Sequence, residues 1–412
     1  MSLPRKSLLF VVSFALLPAL TRLGSPALAR DKEPTSKGRT LTQWLDQLKD
    51  KDARIRGAAA EALGQLGPAA KSAVPALIDA LADTAIARTP KIRFPSVGAC
   101  AAEALALIGD SAVPALADAL KSSNRDVRAM AAYSLSLGPK AKATVSALSD
   151  ALKDKEATVR SLAAEALANM GREATPAVPA LAAALTDKDA NVRRLTADTL
   201  GRIGQKAEIA VPALTAALAD KGTDVRHTVV YALGRFGSSA KPAVPALIDV
   251  LTDKDDSVRR EAARTLSQIG PAARAAAPAL AGLLKDDQGK VRLTAAAALV
   301  RIGERKQEAI AAMIDTLKDE DDYLRGDAAA ALAQIGAEAR PAVPALIDLL
   351  KDKEDYGRFA AAHALGRIGP GARAAVPALV AALKDTSKEY RSEVGEALKR
   401  IDPEAARKAG VP

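Results

Sequence analysis

The chain repeats itself every 33 residues, and a period of that length leaves few folds open. An arginine that usually follows an apolar residue recurs at Arg160, Arg193, Arg226, Arg259, Arg292, Arg325, Arg358 and Arg391. A second marker, Val-Pro-Ala-Leu, begins at Val74, Val113, Val178, Val211, Val244, Val343 and Val376, with degenerate copies from Val145, Ala277 and Ile310. Arg56 and Arg128 belong to the same series, displaced by an insertion around residues 85–98 and a one-residue deletion near Leu137. Periods of this size mark stacked supersecondary units that cannot bury their apolar faces alone.

Each unit reads as two helices. In the copy starting at Val244, Pro245 suits a first helical turn, where its missing N–H is no loss, and residues 246–251 carry a first helix. The polar run 252–257 (TDKDDS) makes a turn whose acids also suit the start of the following helix. A second helix is expected over 258–269, closed by Gly270 with Pro271 as a breaker. Within it Val258, Ala262, Leu266 and Ile269 follow the 3.6-residue period and form the buried stripe. Helices around Trp44 and Arg391 complete a count of eleven pairs, so residues 40–401 read as one all-α solenoid. Thr40 and Gln43 fit a capping box, and Trp44 is placed to seal the exposed end of the stack.

The units resemble HEAT repeats, in particular the short type of phycobilisome-lyase-like HEAT proteins, as in residues 255–284 (DDSVRREAARTLSQIGPAARAAAPALAGLL). The resemblance implies a right-handed armadillo-type superhelix with the second helix of each pair on the concave side. It also implies that the recurring arginine and nearby acids (Asp189 with Arg193, Asp256 with Arg259, Asp322 with Arg325) brace successive turns.

Composition limits the chemistry. Cys100 is the single cysteine, which removes intrachain disulfides and cysteine-based zinc sites, and only two histidines remain for any metal. Deoxyhypusine hydroxylase, a HEAT-repeat enzyme, holds iron with His-Glu pairs beside the repeat arginine. Here His227 is followed by Thr228 and His363 by Ala364, so those ligands are missing. No nucleophile elbow or phosphate-binding loop is present. The expectation is a non-enzyme without a cofactor; bilin-lyase activity follows from the resemblance alone.

Binding is therefore sought on the helix face that packing does not dictate. Counting from the repeat arginine, positions plus one, plus five and plus nine lie opposite the buried stripe. They hold Arg194, Asp198 and Arg202; His227, Tyr231 and Arg235; Arg260, Arg264 and Gln268; Leu293, Ala297 and Arg301; and Phe359, His363 and Arg367. The arginines and aromatics among them are residue types favoured at binding hot spots. The expected partner is a protein or peptide with an acidic segment, and the two histidines would make binding sensitive to pH. Phosphates could follow the same band, giving a nucleic-acid-binding alternative. Aromatics are only 3% of the chain, too few to favour a carbohydrate binder.

The ends read differently. Arg5 and Lys6, the apolar run 7–20, and Ala27 and Ala29 before a break form a secretory signal, with cleavage expected after Ala29. The run is short and contains Pro18, which opposes a retained membrane span. Removing residues 1–29 leaves 56 basic and 49 acidic residues, lowering the net charge from +10 to +7. Residues 30–39 read as a disordered linker and 402–412 as a C-terminal tail. Export would place the solenoid in the periplasm or outside the cell.

Overall fold

The structure, a computed structural model, describes residues 33–87, 95–138 and 142–411. The expected signal segment, 1–29, lies outside the described residues, as do 30–32. The described part is an all-α solenoid of 23 helices, which resolve into eleven consecutive pairs and one terminal helix. Second helices stack on second helices along the chain, with the first helices forming a parallel row beside them.

The pair Val244–Val250 and Asp256–Ile269 shows how the sequence builds a unit. The proline sits in the first turn of the short helix, as expected, although that helix starts two residues earlier, at Val244. Asp255 caps the second helix by accepting from the amides of Ser257 and Val258, so the acids of the turn extend it back to Asp256. Gly270 ends it at φ +75°, a conformation that a side chain resists. Leu247, Val258, Ala262 and Leu266 are fully buried and Ile269 nearly so. Each large side chain withdrawn from water in this way contributes roughly 1.5–3 kcal/mol.

Between pairs the chain does not loop. In most units a short 3-10 turn, such as Gly270–Ala276, leads straight into the next proline-started helix. Two units depart from this: Ala207–Ala217 and Lys306–Thr316 are longer first helices entered through Lys206 and Arg305 at φ +55° and +48°. The insertion inside the second pair, between Val74–Ala80 and Val97–Ile108, is anchored by a bridge between Ile86 and Ser96 and by Ala87 donating to the Pro95 carbonyl. Ala87 lies against Gly57, where an added Cβ would stand 2.5 Å from the alanine methyl. Residues 97–119 are long and apolar enough to cross a membrane, yet they form two helices joined at Gly109, with over half of the most apolar stretch buried in the stack.

Both termini correct the sequence reading. Residues 33–39, expected as disordered linker, hold most of a hairpin in which Thr35–Ser36 pairs with Arg39–Thr40. The reason is Trp44: its indole N–H donates to the Ser36 carbonyl at 2.9 Å, and the Arg39 guanidinium lies 5.0 Å from its ring centre. The capping box at Thr40 and Gln43 forms as expected, and Trp44 is buried. At the other end residues 402–412, expected as a tail, contain the helix Pro403–Lys408, capped by Asp402. Ala406 is buried, and Val411 lies against Gly395 in the final pair.

A candidate protein-binding face on the second helices

The recurring arginine must be placed first, because it could be mistaken for part of a site. Arg193 is buried, and its Nε and Nη2 donate to the two carboxylate oxygens of Asp220 at 2.5 and 3.0 Å. Its Nη1 donates to the carbonyls of Asp187 and Lys188 at 2.8 and 3.3 Å. The arginine thus ties its own turn to the next one. The same rung joins Arg56, Arg128, Arg160, Arg226, Arg259, Arg292, Arg325 and Arg358 to an aspartate 26 or 27 residues on.

The bracing implied by the resemblance is therefore present, with different acids. Asp189 caps its own helix, and Asp256 and Asp322 sit in the first turns of theirs, while the rungs use Asp220, Asp286 and Asp352. Burial pushes the Asp220 carboxyl up, but the Arg193 guanidinium and the Gly222 amide outweigh it and hold the group below the usual carboxylate range. Shallow clefts of about 430 and 560 Å³ lie along this turn edge, around Arg160–Asp187 and Arg193–Asp220, away from the candidate face.

Opposite the buried stripe, the sequence-selected residues fall into two groups. The first already has partners. Asp198 and Arg202 pair at 3.6 Å, and Arg202 also reaches Asn169 at 3.4 Å. Arg264 forms a two-pronged bond with the buried Glu261 at 2.6 and 3.0 Å while lying 5.4 Å over the Tyr231 ring. His363 Nδ1 is 3.0 Å from Glu393, and the Phe359 ring packs 5.2 Å from that of Tyr390. Arg194 donates to the Asn191 side-chain oxygen at 2.9 Å, and His227 is half-buried.

The second group is cationic and uncompensated. Arg235, Arg260, Arg301 and Arg367 have no acidic partner among the described residues, and all but the half-buried Arg260 are exposed. Three of them share position plus nine, so they form a column along the C-terminal ends of successive second helices, interrupted by Gln268 and Gln334. Such a column suits carboxylates presented by an extended chain, since guanidinium is the group best shaped to bond them two-pronged.

Two parts of the same face were missed. The first pairs place Glu61, Glu103, Tyr133 and Glu165 at position plus five, each with partners inside the chain, and leave Leu107 and Leu137 60% and 51% exposed at plus nine. Counting in register from Arg56 would have found them. Further on, Tyr323 and Tyr356 are exposed at a position two residues before the repeat arginine, which the chosen positions skipped.

A family model for HEAT repeats matches residues 41–136, 91–168, 145–234, 211–299, 277–366 and 343–409. No curated protein matches the sequence. Among solved structures, Kap95p in its complex with RanGDP is 18% identical, with a TM-score of 0.60 over 90% of this chain and 55% of that one. Kap121p bound to Nup53p is 17% identical, with a TM-score of 0.56 over 88% of this chain and 45% of that one. The chain thus spans about half the length of these importin-type solenoids, and the likeness is one of fold. With the repeat model covering nearly every described helix pair, the chain belongs to the HEAT-repeat family.

Proposed function

We propose that this chain is an exported, non-catalytic scaffold that binds an acidic segment of a protein partner along the exposed face of its second helices. The observation that carries the reading is the column of arginines at one register position, Arg235, Arg301 and Arg367, without carboxylates of their own among the described residues. Packed helices stand about 8–10 Å apart. The three arginines lie on alternate second helices, roughly 16–20 Å apart, and an extended peptide advances about 3.3 Å per residue, so one acid in about every six residues would meet successive arginines. Kap121p and Kap95p are solved with protein partners, which agrees with a docking role for a solenoid of this architecture. A basic, then apolar, then small-residue N-terminus supports export.

The test is fluorescence anisotropy with a labelled (Glu-Ser-Gly)₄ peptide at low salt. Arg235→Glu, Arg301→Glu and Arg367→Glu combined should abolish binding while lowering the melting temperature by a few degrees at most, the cost of placing acids at helix C-terminal ends. Equal binding by the reversed variant would refute the reading. A nucleic acid would be drawn by the same arginines, but export would separate the chain from nucleic acid. A reporter fused after residue 39 that stays cytosolic would remove this argument.

A further inference from the structure

Tyr323 and Tyr356 stand 33 residues apart in the first turns of the helices Asp322–Ile335 and Asp355–Ile368. At about 100° per residue, two residues before the repeat arginine falls between positions plus five and plus nine on the helix wheel. The tyrosines therefore belong to the same exposed face as the arginine column. They are 69% and 45% exposed, with ring centres 6.3 Å apart and planes tilted by 41°.

The pair is preset. The Tyr356 hydroxyl donates to Asp327 Oδ1 at 2.7 Å, a bond that also raises the phenol pKa above its ordinary value. Its ring fills the place of a side chain at residue 326, where an added Cβ would come within 2.3 Å of ring carbons; Gly326 makes that position available. An aromatic surface fixed before contact loses little entropy on binding.

The chain itself shows what such rings take. Trp44, Tyr231 and Tyr390 each lie under a guanidinium of this chain, that of Arg39, Arg264 and Arg358, at 5.0, 5.4 and 5.0 Å. Tyr323 and Tyr356 have no such cover among the described residues. The uncompensated charges around them are acidic: Glu320 and Glu354 are exposed and without ion pairs among the described residues, and Asp322 lies beside Tyr323, while Asp355, beside Tyr356, is already paired with Arg358. A ring face is attractive to a cation, and carboxylates at its rim add to that attraction.

We propose that Tyr323 and Tyr356 form a clamp for an arginine side chain of the protein partner, the guanidinium lying on the tyrosine rings within the rim of Glu320, Asp322 and Glu354. The proposal rests on the reading of this face as a docking surface. It adds that the partner carries a basic residue beside its acidic segment, so the face selects a sequence of mixed charge in one orientation.

Two labelled probes separate the two claims: the (Glu-Ser-Gly)₄ peptide for the arginine column and Gly-Ser-Arg-Gly-Arg-Ser-Gly for the clamp. The arginine probe should bind the full chain and weaken roughly tenfold in Y323A/Y356A, while Y323F/Y356F, which keeps both ring faces, should stay within about threefold of the parent. The reversal of Arg235, Arg301 and Arg367 should not weaken it. A melting temperature lowered by no more than a few degrees, the cost of lifting the Tyr356 ring off Gly326 and Asp327, shows that the variants remain folded. The clamp is overturned if the arginine probe fails to bind the parent chain, or binds Y323A/Y356A as tightly. Failure of the glutamate probe alone overturns the arginine column and leaves the clamp standing.

Discussion

Removing one rung of the arginine ladder tests what holds neighbouring pairs in register. Arg193→Ala deletes two bonds to Asp220 and two to the carbonyls of Asp187 and Lys188. The side chains of Arg193 and Asp220 are only 8% and 9% exposed, so the orphaned carboxylate keeps the Gly222 amide and little else. Breaking a buried ion pair from one side costs about 3–5 kcal/mol. The turn edge opens on solvent through a shallow cleft, which places the expected loss near the lower end, about 3 kcal/mol. Asp220→Asn retains an oxygen for Gly222 and should cost about 2 kcal/mol, the worth of bonds to a charged group.

A cycle of Arg193→Ala, Asp220→Asn and the double variant should give a coupling of about 1.5–3 kcal/mol. Because solenoid stability is a sum of nearest-neighbour terms, the assay must resolve position. Hydrogen exchange should quicken first in the helices Ala190–Ile203 and Thr223–Gly234, with urea denaturation reporting the whole. The ladder carboxylates Asp154, Asp187, Asp220, Asp253 and Asp286 are held below the usual range in the folded chain. Their stabilisation is therefore complete above the unfolded value of about 3.9 and is lost as pH falls through the lower folded values, with the rungs acting in parallel. A loss below about 0.5 kcal/mol for Arg193→Ala, or zero coupling, would refute the bracing role.

Two further substitutions probe the backbone. Lys206→Gly and Arg305→Gly relieve left-handed conformations that cost a side chain about 1–2 kcal/mol, against a smaller entropic loss from glycine, so each should stabilise by about 0.5 kcal/mol in urea denaturation. Gly201→Ala should destabilise by about 1–3 kcal/mol, since its Cβ would stand 2.9 Å from the Ala232 Cα, backbone that can yield only by moving a helix.

The repeat, the helix pairs and their number could be read from the sequence because each is encoded within a single unit: Pro245 starts a helix, Gly270 stops one, and Val258 to Ile269 recur on one face. What was not legible lies between units. Arg193 has nearby acids in its own turn, and nothing local says that the bond goes to Asp220 in the next one. The hairpin around residues 35–40 forms because a carbonyl there meets the Trp44 indole, a contact invisible in a polar segment rich in breakers. On the candidate face, choosing three positions per helix found the arginine column but also Arg264 and His363, whose carboxylate partners at 261 and 393 lay one position away from those sampled. Tyr323 and Tyr356 escaped because they precede the arginine, where only a turn was expected.

Arginine does two separate things in this chain, and register decides which. At the ladder position the guanidinium is largely withdrawn from solvent and spent within the fold, as Arg193 is on a carboxylate and two carbonyls. Nine residues further along their helices, about 180° around, Arg235, Arg301 and Arg367 are exposed and without an acidic partner among the described residues. The second pair shows that the ladder is a linked device: Gly98 stands where the arginine would, with room limited by the Leu81 carbonyl 2.6 Å from an added Cβ, and Ser122 stands where its aspartate would. Donor and acceptor are lost together there, whereas Arg391 in the last pair has no carboxylate rung among the described residues and keeps its bonds to the Asp385 and Thr386 carbonyls. Net charge therefore says little about binding here, since the ladder cations are neutralised within the fold. Charge reversal at the ladder position should unfold the neighbouring pairs, whereas reversal nine residues later should change only what the face attracts. That separation lets one repeat keep its architecture while its exposed positions vary from unit to unit.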